Sequence, residues 1–197
     1  MSALDDAPMV EPADRASWRA WLEANHATAT GAWLVMRRSA FGPMAVDYEG
    51  AVEEALCFGW IDGVTGRVDD ERSKQYFAPR NPRGTWAATN KARVERLLAA
   101  GLIAPAGLAA IERAKANGSW SLLDSVERME VPDDLTAALA GQPGATDRWA
   151  VWVPSVRKAL LGWLVLAKRP ETRSARIADI ASSAARGEVP GPYRRRD

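Results

Sequence analysis

The sequence predicts an α+β fold, in which a small antiparallel β-sheet packed with helices is followed by an all-helical C-terminal segment. A short apolar run and a hairpin-like stretch, both bounded by glycine and proline, indicate strands in the first half. Apolar residues recur at helical spacing through most of the second half. The 197 residues are 47% hydrophobic and 26% charged, which is the composition of an ordinary globular protein.

The chain opens with a helix, a strand and a second helix. Asp14 can cap a first helix that runs to about residue 27. Residues 32–38 form a short apolar run that suits a strand better than a helix. Asp47 can cap the second helix, which Gly59 ends.

A hairpin follows, because residues 60–68 and 74–79 are extended candidates on either side of a polar, acidic tip. Together with residues 32–38 they predict a three-stranded antiparallel sheet, with all other regular structure helical. Gly63 and Gly66 lie inside the first arm and indicate a β-bulge or a close backbone approach.

Proline and glycine then punctuate a series of helices. The predicted helical segments are residues 90–100, 105–117, 132–141, a segment that begins at Pro154, and 172–186. This pattern divides the chain into an α+β domain over residues 11–118, a connector over 119–131, a helical domain over 132–187 and a flexible basic tail over 188–197.

Composition excludes several kinds of site. Cys57 is the only cysteine and His26 the only histidine, so neither an intramolecular disulfide nor a zinc site built from Cys and His is possible. The glycine spacing fits no dinucleotide fingerprint, and we expect no cofactor and no metal.

The N-terminus lacks the pattern of a secretory signal, so a cytoplasmic location is expected. The apolar run at 159–167 is about half the length that spans a bilayer, so no membrane insertion is expected.

Charge is distributed unevenly. Residues 1–150 carry 16 basic and 21 acidic side chains, whereas residues 151–197 carry 10 and 4. Residues 72–96 contain seven basic side chains and one acid, Glu95. An anionic small molecule or a polyanion is therefore a conceivable partner, and the alternative is that these basic side chains are solvated helix faces.

Four motifs carry a family resemblance. They are A-L-C-F-G-W-I-D-G at residues 55–63, A-P-R-N-P-R-G-T-W at 78–86, P-A-G-L at 105–108 and A-K-R-P-E-T-R-S-A-R-I at 167–177. The chain resembles the YdeI/OmpD-associated family over nearly its whole length. That family is similar to the YjbR/CyaY-like group, which implies a small antiparallel sheet with helices packed on it. The YdeI/OmpD-associated family carries labels of bacteriocin protection and porin association, and these labels imply no chemical reaction.

Asp62 and Arg80 are the central candidate residues. Asp62 stands between an apolar pair and Gly63, where it could form the wall of a ligand pocket. It could equally form a buried structural ion pair with Arg80 from the other arm of the hairpin. An enzyme would use Asp62 as acid or base with arginine as electrostatic stabiliser, but the sequence supplies no matching nucleophile.

Two further groups of residues are candidates for ligand binding. Basic residues around Trp86 provide guanidinium groups and an aromatic face, as polyanion or nucleic-acid binding would require, yet no nucleic-acid motif accompanies them. Arg173 and Arg176 share one face of the last helix and could dock it or form an anion site. The candidate ligand-binding residues are Trp60, Asp62, Gly63, Arg80, Trp86, Asn90, Lys91, Arg173 and Arg176.

These observations predict a non-catalytic binding or stress-protection protein. The alternatives are a polyanion- or nucleic-acid-binding protein that uses residues 72–96, and an enzyme that uses Asp62 and Arg80 in a small pocket. The sequence does not indicate the oligomeric state.

Overall fold

The computed structural model describes residues 4, 6–190 and 193. The chain forms two compact units, Met1–Trp120 and Ser121–Asp197. The first unit combines a sheet with helices and the second is helical over its described residues, so the predicted α+β class is confirmed. Most of the predicted tail at 188–197 lies outside the described residues.

The first unit contains a four-stranded sheet over the described residues. Its strands are β1 (Met9–Val10), β2 (Ala32–Arg37), β3 (Trp60–Arg67) and β4 (Arg72–Pro79), in the spatial order β1-β2-β4-β3. The antiparallel pairings of β2 with β4 and of β3 with β4 confirm the predicted three-stranded sheet. The parallel pairing of β1 with β2 was not predicted, and it makes the sheet mixed. Two residues are too few to show a strand period in a sequence.

The hairpin contains the irregularity that its glycines indicated. The register between β3 and β4 shifts between Asp62 and Thr65, so Gly63 and Val64 lie in a bulge. The buried Gln75 side chain on β4 donates a 2.8 Å hydrogen bond from Nε2 to the Gly63 carbonyl. This bond satisfies a backbone group that the regular ladder leaves unpaired.

Four α-helices pack in the first unit over its described residues. They are α1 (Arg15–Asn25), α2 (Tyr48–Cys57), α3 (Ala88–Ala99) and α4 (Pro105–Ala116). The two predicted caps are present: the Asp14 carboxylate accepts from the Ser17 backbone N–H, and the Asp47 carboxylate accepts from the Gly50 N–H, each at 2.7 Å. Each cap satisfies an N–H group that has no partner inside its helix.

Helix α2 is the most deeply buried element of this unit. Seven of its ten residues are buried, including Glu54. Its apolar side chains pack in one core with the large side chains of α1 and the sheet, among them Trp18, Leu22, Trp60 and Phe77. The indole Nε1 of Trp18 donates to the Ala51 carbonyl at 3.1 Å, so the polar atom of this buried ring is satisfied.

Gly107 allows α4 to approach the end of α2. A Cβ atom at this position would lie 2.3 Å from the Cys57 carbonyl oxygen. The same oxygen accepts a 2.9 Å hydrogen bond from the Ala104 N–H. The glycine of the P-A-G-L motif is therefore required for helix packing.

The second unit contains five helices over its described residues. They are α5 (Asp124–Glu127), α6 (Asp133–Ala140), α7 (Ala145–Val151), α8 (Pro154–Val165) and α9 (Pro170–Arg186). The short helix α5 lies in the segment predicted as a connector, and α7 lies in the predicted helical domain 132–187, although its bounds were not predicted. With four residues, α5 is too short to show a repeated helical face. Pro170 begins α9, two residues before the predicted start, because proline is well suited to the first turn of a helix.

A separate apolar core stabilises the second unit. Its fully buried large side chains are Leu135, Leu160, Leu161, Leu164 and Ile180. They come from α6, α8 and α9, so the three longest helices of this unit share one core. The apolar run at 159–167 is thus explained by burial within the protein.

We predict that Gly107→Ala destabilises the first unit by about 1–3 kcal/mol, the usual cost of overpacking a well-packed contact. The new methyl group would displace α4 from the Cys57 carbonyl. The free energy of unfolding from chemical denaturation measures this effect. Gly66→Ala is the matched control, because its Cβ would meet the flexible end of Lys74, and a change below about 1 kcal/mol is expected there. Equal losses of unfolding free energy in Gly107→Ala and Gly66→Ala would contradict the inference that Gly107 is required for helix packing.

Candidate functional site

Asp62 lies on β3 and bonds to a tyrosine. The Tyr48 hydroxyl at the start of α2 donates a 2.8 Å hydrogen bond to the Asp62 carboxylate. Burial raises the pKa of Tyr48, and the hydrogen bond to the Asp62 carboxylate raises it further. Tyr48 is nevertheless 46% exposed, so this pair lies at the surface of the unit.

The expected ion pair between Asp62 and Arg80 is not formed; that structural interpretation is wrong. Asp62 is opposite Phe77 in the hairpin register, and Arg80 follows the end of β4, where its N–H donates to the Gly59 carbonyl at 3.0 Å. Arg80 is three residues beyond Phe77, about 10 Å along an extended backbone. Asp62 therefore acts on Arg80 through its charge alone.

Two hydrogen-bond donors of Arg80 have no acceptor among the described residues. Its Nη2 donates to the Thr85 carbonyl at 2.7 Å, while Nε and Nη1 are buried and have no hydrogen-bond partner. Burial lowers the pKa of Arg80 to about 10, and the negative charge of Asp62 opposes that fall. The guanidinium is therefore still a cation at neutral pH.

An aromatic pair supports this cation. The Arg80 guanidinium carbon lies 3.7 Å from the centre of the Trp86 ring, which is close enough for a strong cation–π contact. The Trp86 ring is itself 4.8 Å from the ring of Trp120. Lys91 and Lys115 each place Nζ 5.4 Å from the centre of the Trp120 ring. Three cations thus lie against two indole rings.

A small cavity adjoins Arg80. Its volume is about 10 Å³, which is enough for one water-sized group. It is lined by Arg80, Asn81, Pro82, Trp86, Ala110, Arg113 and Ala114. The cavity thus contains two arginines and no carboxylate, and Asp62 does not line it.

Three arginines of the basic zone at residues 72–96 form ion pairs with acids from elsewhere in the chain. Arg72 bonds to Asp69 and Glu11. Arg93 and Arg96 form ion pairs with Glu49, and Arg96 also with Glu53, both on α2. The zone is therefore not a continuous cationic surface, and Arg80 differs from these arginines in lacking an acidic partner.

The remaining candidates of the first unit have structural contacts. Trp60 is 1% exposed, and its Nε1 donates to the His26 carbonyl at 3.2 Å. Gly63 belongs to the bulge, and Asn90 accepts a 2.7 Å hydrogen bond from Arg93. Arg80, Trp86 and Lys91 are the predicted site residues that lie in one cluster.

The two arginines of α9 are engaged within the second unit. Arg173 donates from Nε and Nη2 to the Asp134 carboxylate at 2.7 and 2.9 Å, and from Nη1 to the Leu164 carbonyl at 3.4 Å. Arg176 donates to the Trp163 carbonyl and lies 4.9 Å from the centre of that ring. All three nitrogens of Arg173 are thus occupied.

Comparison with family models divides the chain in two. Residues 10–110, just over half of the chain, match the model described as Domain of unknown function (DUF8412). The chain belongs to the DUF8412 family. The matched region contains strands β2 to β4, helices α1 to α3 and the Arg80–Trp86 contact. The motif at residues 55–63 lies in this DUF8412 region and forms the end of α2 and the start of β3.

The second family match lies in the helical unit. Residues 128–187 match the model described as Bacteriocin-protection, YdeI or OmpD-Associated. The predicted resemblance is confirmed for this segment, although it was expected over nearly the whole chain. The relation to the YjbR/CyaY-like group stays a prediction. No protein of curated function and no solved structure matches the chain significantly.

The sequence interpretation missed two residues of these sites. Tyr48 begins helix α2, and nothing in the spacing of Tyr48 and Asp62 along the sequence indicated that the two side chains would meet. Arg113 lies one helical turn from Ala110 on α4, and only the tertiary packing brings it to Arg80. Among the described residues, the structure contains neither a cluster of His, Cys, Asp and Glu suited to a metal nor a helix of the length and apolarity that a bilayer span requires.

We predict that Asp62→Asn lowers the pKa of Tyr48, because it removes the negative charge that accepts the phenolic proton. The value should stay above that of a free tyrosine, since burial is the larger cause and is unchanged. Tyrosinate absorbance in alkaline titration measures it, with Tyr48→Phe to identify the signal among the three tyrosines. Asp70→Asn, at the exposed hairpin tip, is the control. An unchanged pKa in Asp62→Asn would show that the hydrogen bond is absent in solution.

Proposed function

We propose that this DUF8412 protein is a non-catalytic binding protein that holds a small anion at Arg80. The observation that carries this proposal is the pair of buried guanidinium nitrogens, Nε and Nη1, without a hydrogen-bond partner. Leaving a buried donor unpaired costs about 1–3 kcal/mol, and more for a charged group. Such groups therefore call for a specific explanation, which a bound acceptor would provide.

The chemistry of the cluster favours an anionic ligand with oxygen acceptors. A guanidinium only donates hydrogen bonds, so its complement must be an acceptor. Arg113 adds a second positive charge beside the same cavity, which favours a carboxylate or a phosphate over a neutral carbonyl. The cavity of about 10 Å³ admits one oxygen, with the remainder of the ligand outside.

The same features favour binding over catalysis. Arg80 is protonated at neutral pH even with its lowered pKa, so it can attract and orient an anion but is a poor proton donor or acceptor. The Asp62 carboxylate is bonded to Tyr48 and lies outside the cavity. A protective role, as the YdeI/OmpD-associated description names it, and a cytoplasmic location belong to this proposal. The match over residues 128–187 supports the protective role.

Nucleic-acid binding receives less support. Single-stranded nucleic acids bind proteins through bases that stack on open aromatic faces. Trp86 is 3% exposed, and its faces are occupied by Arg80 and Trp120. The ion pairs of Arg72, Arg93 and Arg96 further reduce the positive charge available to a polyanion.

We predict that inorganic phosphate or acetate binds the protein at one saturable site, and that Arg80→Met weakens this binding at least about tenfold. The estimate follows from the loss of a charged hydrogen bond, about 1.5–3 kcal/mol. Isothermal titration calorimetry at constant ionic strength measures it. Arg80→Lys should be intermediate, because it keeps the charge and loses the planar donor group.

Arg67→Met is the matched control. Arg67 lies on the same hairpin, and its guanidinium pairs with Asp70 at the exposed tip, so its loss should leave anion binding unchanged. Equal weakening in Arg67→Met and Arg80→Met would indicate a general charge effect. Failure of both anions to bind saturably to the folded wild-type protein would refute the proposal.

A further inference from the structure

The helical unit contains a second, larger cavity that is independent of Arg80. Its volume is about 400 Å³, within the range of small-molecule sites. Six apolar side chains form most of its wall: Val126, Val131, Pro132, Leu161, Leu164 and Val165. The polar residues that line it are Ser125, Glu130, Asp133 and Arg173.

The loop after α5 forms one side of this cavity. Met129 adopts a φ of 57°, in the left-handed region that residues other than glycine rarely enter. The Glu130 N–H donates back to the Ser125 carbonyl at 2.9 Å, which closes the end of α5. The chain then turns so that Val131 and Pro132 line the cavity before α6 begins at Asp133.

The basic group of this cavity is already occupied. Arg173 uses all three of its nitrogens on Asp134 and the Leu164 carbonyl. Glu130, on the acidic side, is paired with Arg128. Both charged side chains thus already have a partner of opposite charge within this unit.

The polar groups that stay open are the exposed Asp133 carboxylate, which only accepts hydrogen bonds, and the Ser125 hydroxyl, which both accepts and donates them. Over the described part of the chain, neither the Asp133 carboxylate nor the Ser125 hydroxyl oxygen has a hydrogen-bond or ion-pair partner. A carboxylate accepts hydrogen bonds only and carries a negative charge. The ligand group that complements it is a cationic donor.

We infer that this cavity binds a small amphiphilic cation, with an ammonium group at Asp133 and an alkyl portion against the apolar wall. The apolar wall supplies most of the affinity, because burial of alkyl surface is favourable and non-directional. Asp133 selects the charge of the head group. The site thus takes a ligand of opposite charge to that proposed for Arg80.

The test uses three probes of equal chain length on the full chain: n-hexylammonium, 1-hexanol and hexanoate. We expect one equivalent of hexylammonium to bind about three- to fivefold more tightly than hexanol. This difference in affinity is what a partly exposed ion pair contributes. Hexanoate should bind more weakly than hexanol when both are measured on the Arg80→Met protein, in which the proposed carboxylate site is weakened. Butylammonium should bind about tenfold more weakly than hexylammonium, because two methylenes are lost from the apolar contact. Isothermal titration calorimetry measures all four affinities.

Variants distinguish the contribution of the apolar wall from that of Asp133, which is proposed to bind the ammonium group. Asp133→Asn should reduce hexylammonium binding to the level of hexanol, while Asp147→Asn, an exposed carboxylate on α7, should have no effect. Val165→Phe should fill the cavity and weaken hexylammonium and hexanol together by about tenfold or more. Val131→Leu is a milder filling variant, and the circular dichroism melting curve of each variant verifies its fold.

Three results would overturn the inference. They are the absence of saturable hexylammonium binding to the wild-type protein, equal affinity for hexylammonium and hexanol, and binding that is insensitive to both Asp133→Asn and Val131→Leu in folded proteins. None of them bears on the Arg80 site, since the probes there are phosphate and acetate.

Discussion

The burial of helix α2 is the constraint on which the first unit depends. A helix with seven buried residues out of ten must satisfy every polar group that it takes into the core. Its buried glutamate, Glu54, does so by accepting from Arg15 at 2.6 Å and from Arg19 at 2.7 Å. Both arginines lie on α1, so these bonds also fix α1 against α2.

The other two acids of α2 form ion pairs with α3, and Glu53 also pairs with Arg15 of α1 at 3.0 Å. Glu49 and Glu53 pair with Arg93 and Arg96 of α3. These pairs are partly exposed, and such contacts individually contribute little to stability. Their larger effect is on the electrostatics of the surface, because they neutralise the end of the basic zone that the sequence indicated for polyanions. Helix α2 thus determines both the packing of the core and how much positive charge of the basic zone is available to bind an anion.

The path from α2 to Arg80 is short and is fixed by packing. Gly59 ends the helix with a φ of 74°, which requires glycine at that turn. Its carbonyl accepts the Arg80 N–H, so the end of β4 is tied to the start of β3. Arg80 then leaves the sheet at a point where the Trp86 ring covers its guanidinium. Position and burial of this cation follow from the hairpin register.

Sequence reasoning predicted the parts of the fold that local patterns determine. The caps at Asp14 and Asp47, the three antiparallel strands and the glycine bulge each have a signature within a few residues. Strand β1, with two residues, and helix α5, with four, were missed because neither is long enough to show a repeating pattern. The Asp62–Arg80 pair was wrong because register decides cross-strand partners, and two charged residues on opposite arms of a hairpin do not specify it.

The functional inferences depend on which polar groups are satisfied, a property that no sequence pattern contains. Arg173 and Arg80 were equal candidates as residue types, yet one has every nitrogen bonded and the other has two nitrogens buried without a partner. A satisfied arginine needs no ligand to explain it, because its donors already have acceptors. An unsatisfied one retains a desolvation cost that an anion can offset. The same reasoning, applied to acceptors, distinguishes Asp133 from Asp134, which Arg173 already binds. Adjacent carboxylates on one helix thus have different roles, and the hydrogen-bond partners of each decide which one a ligand can reach.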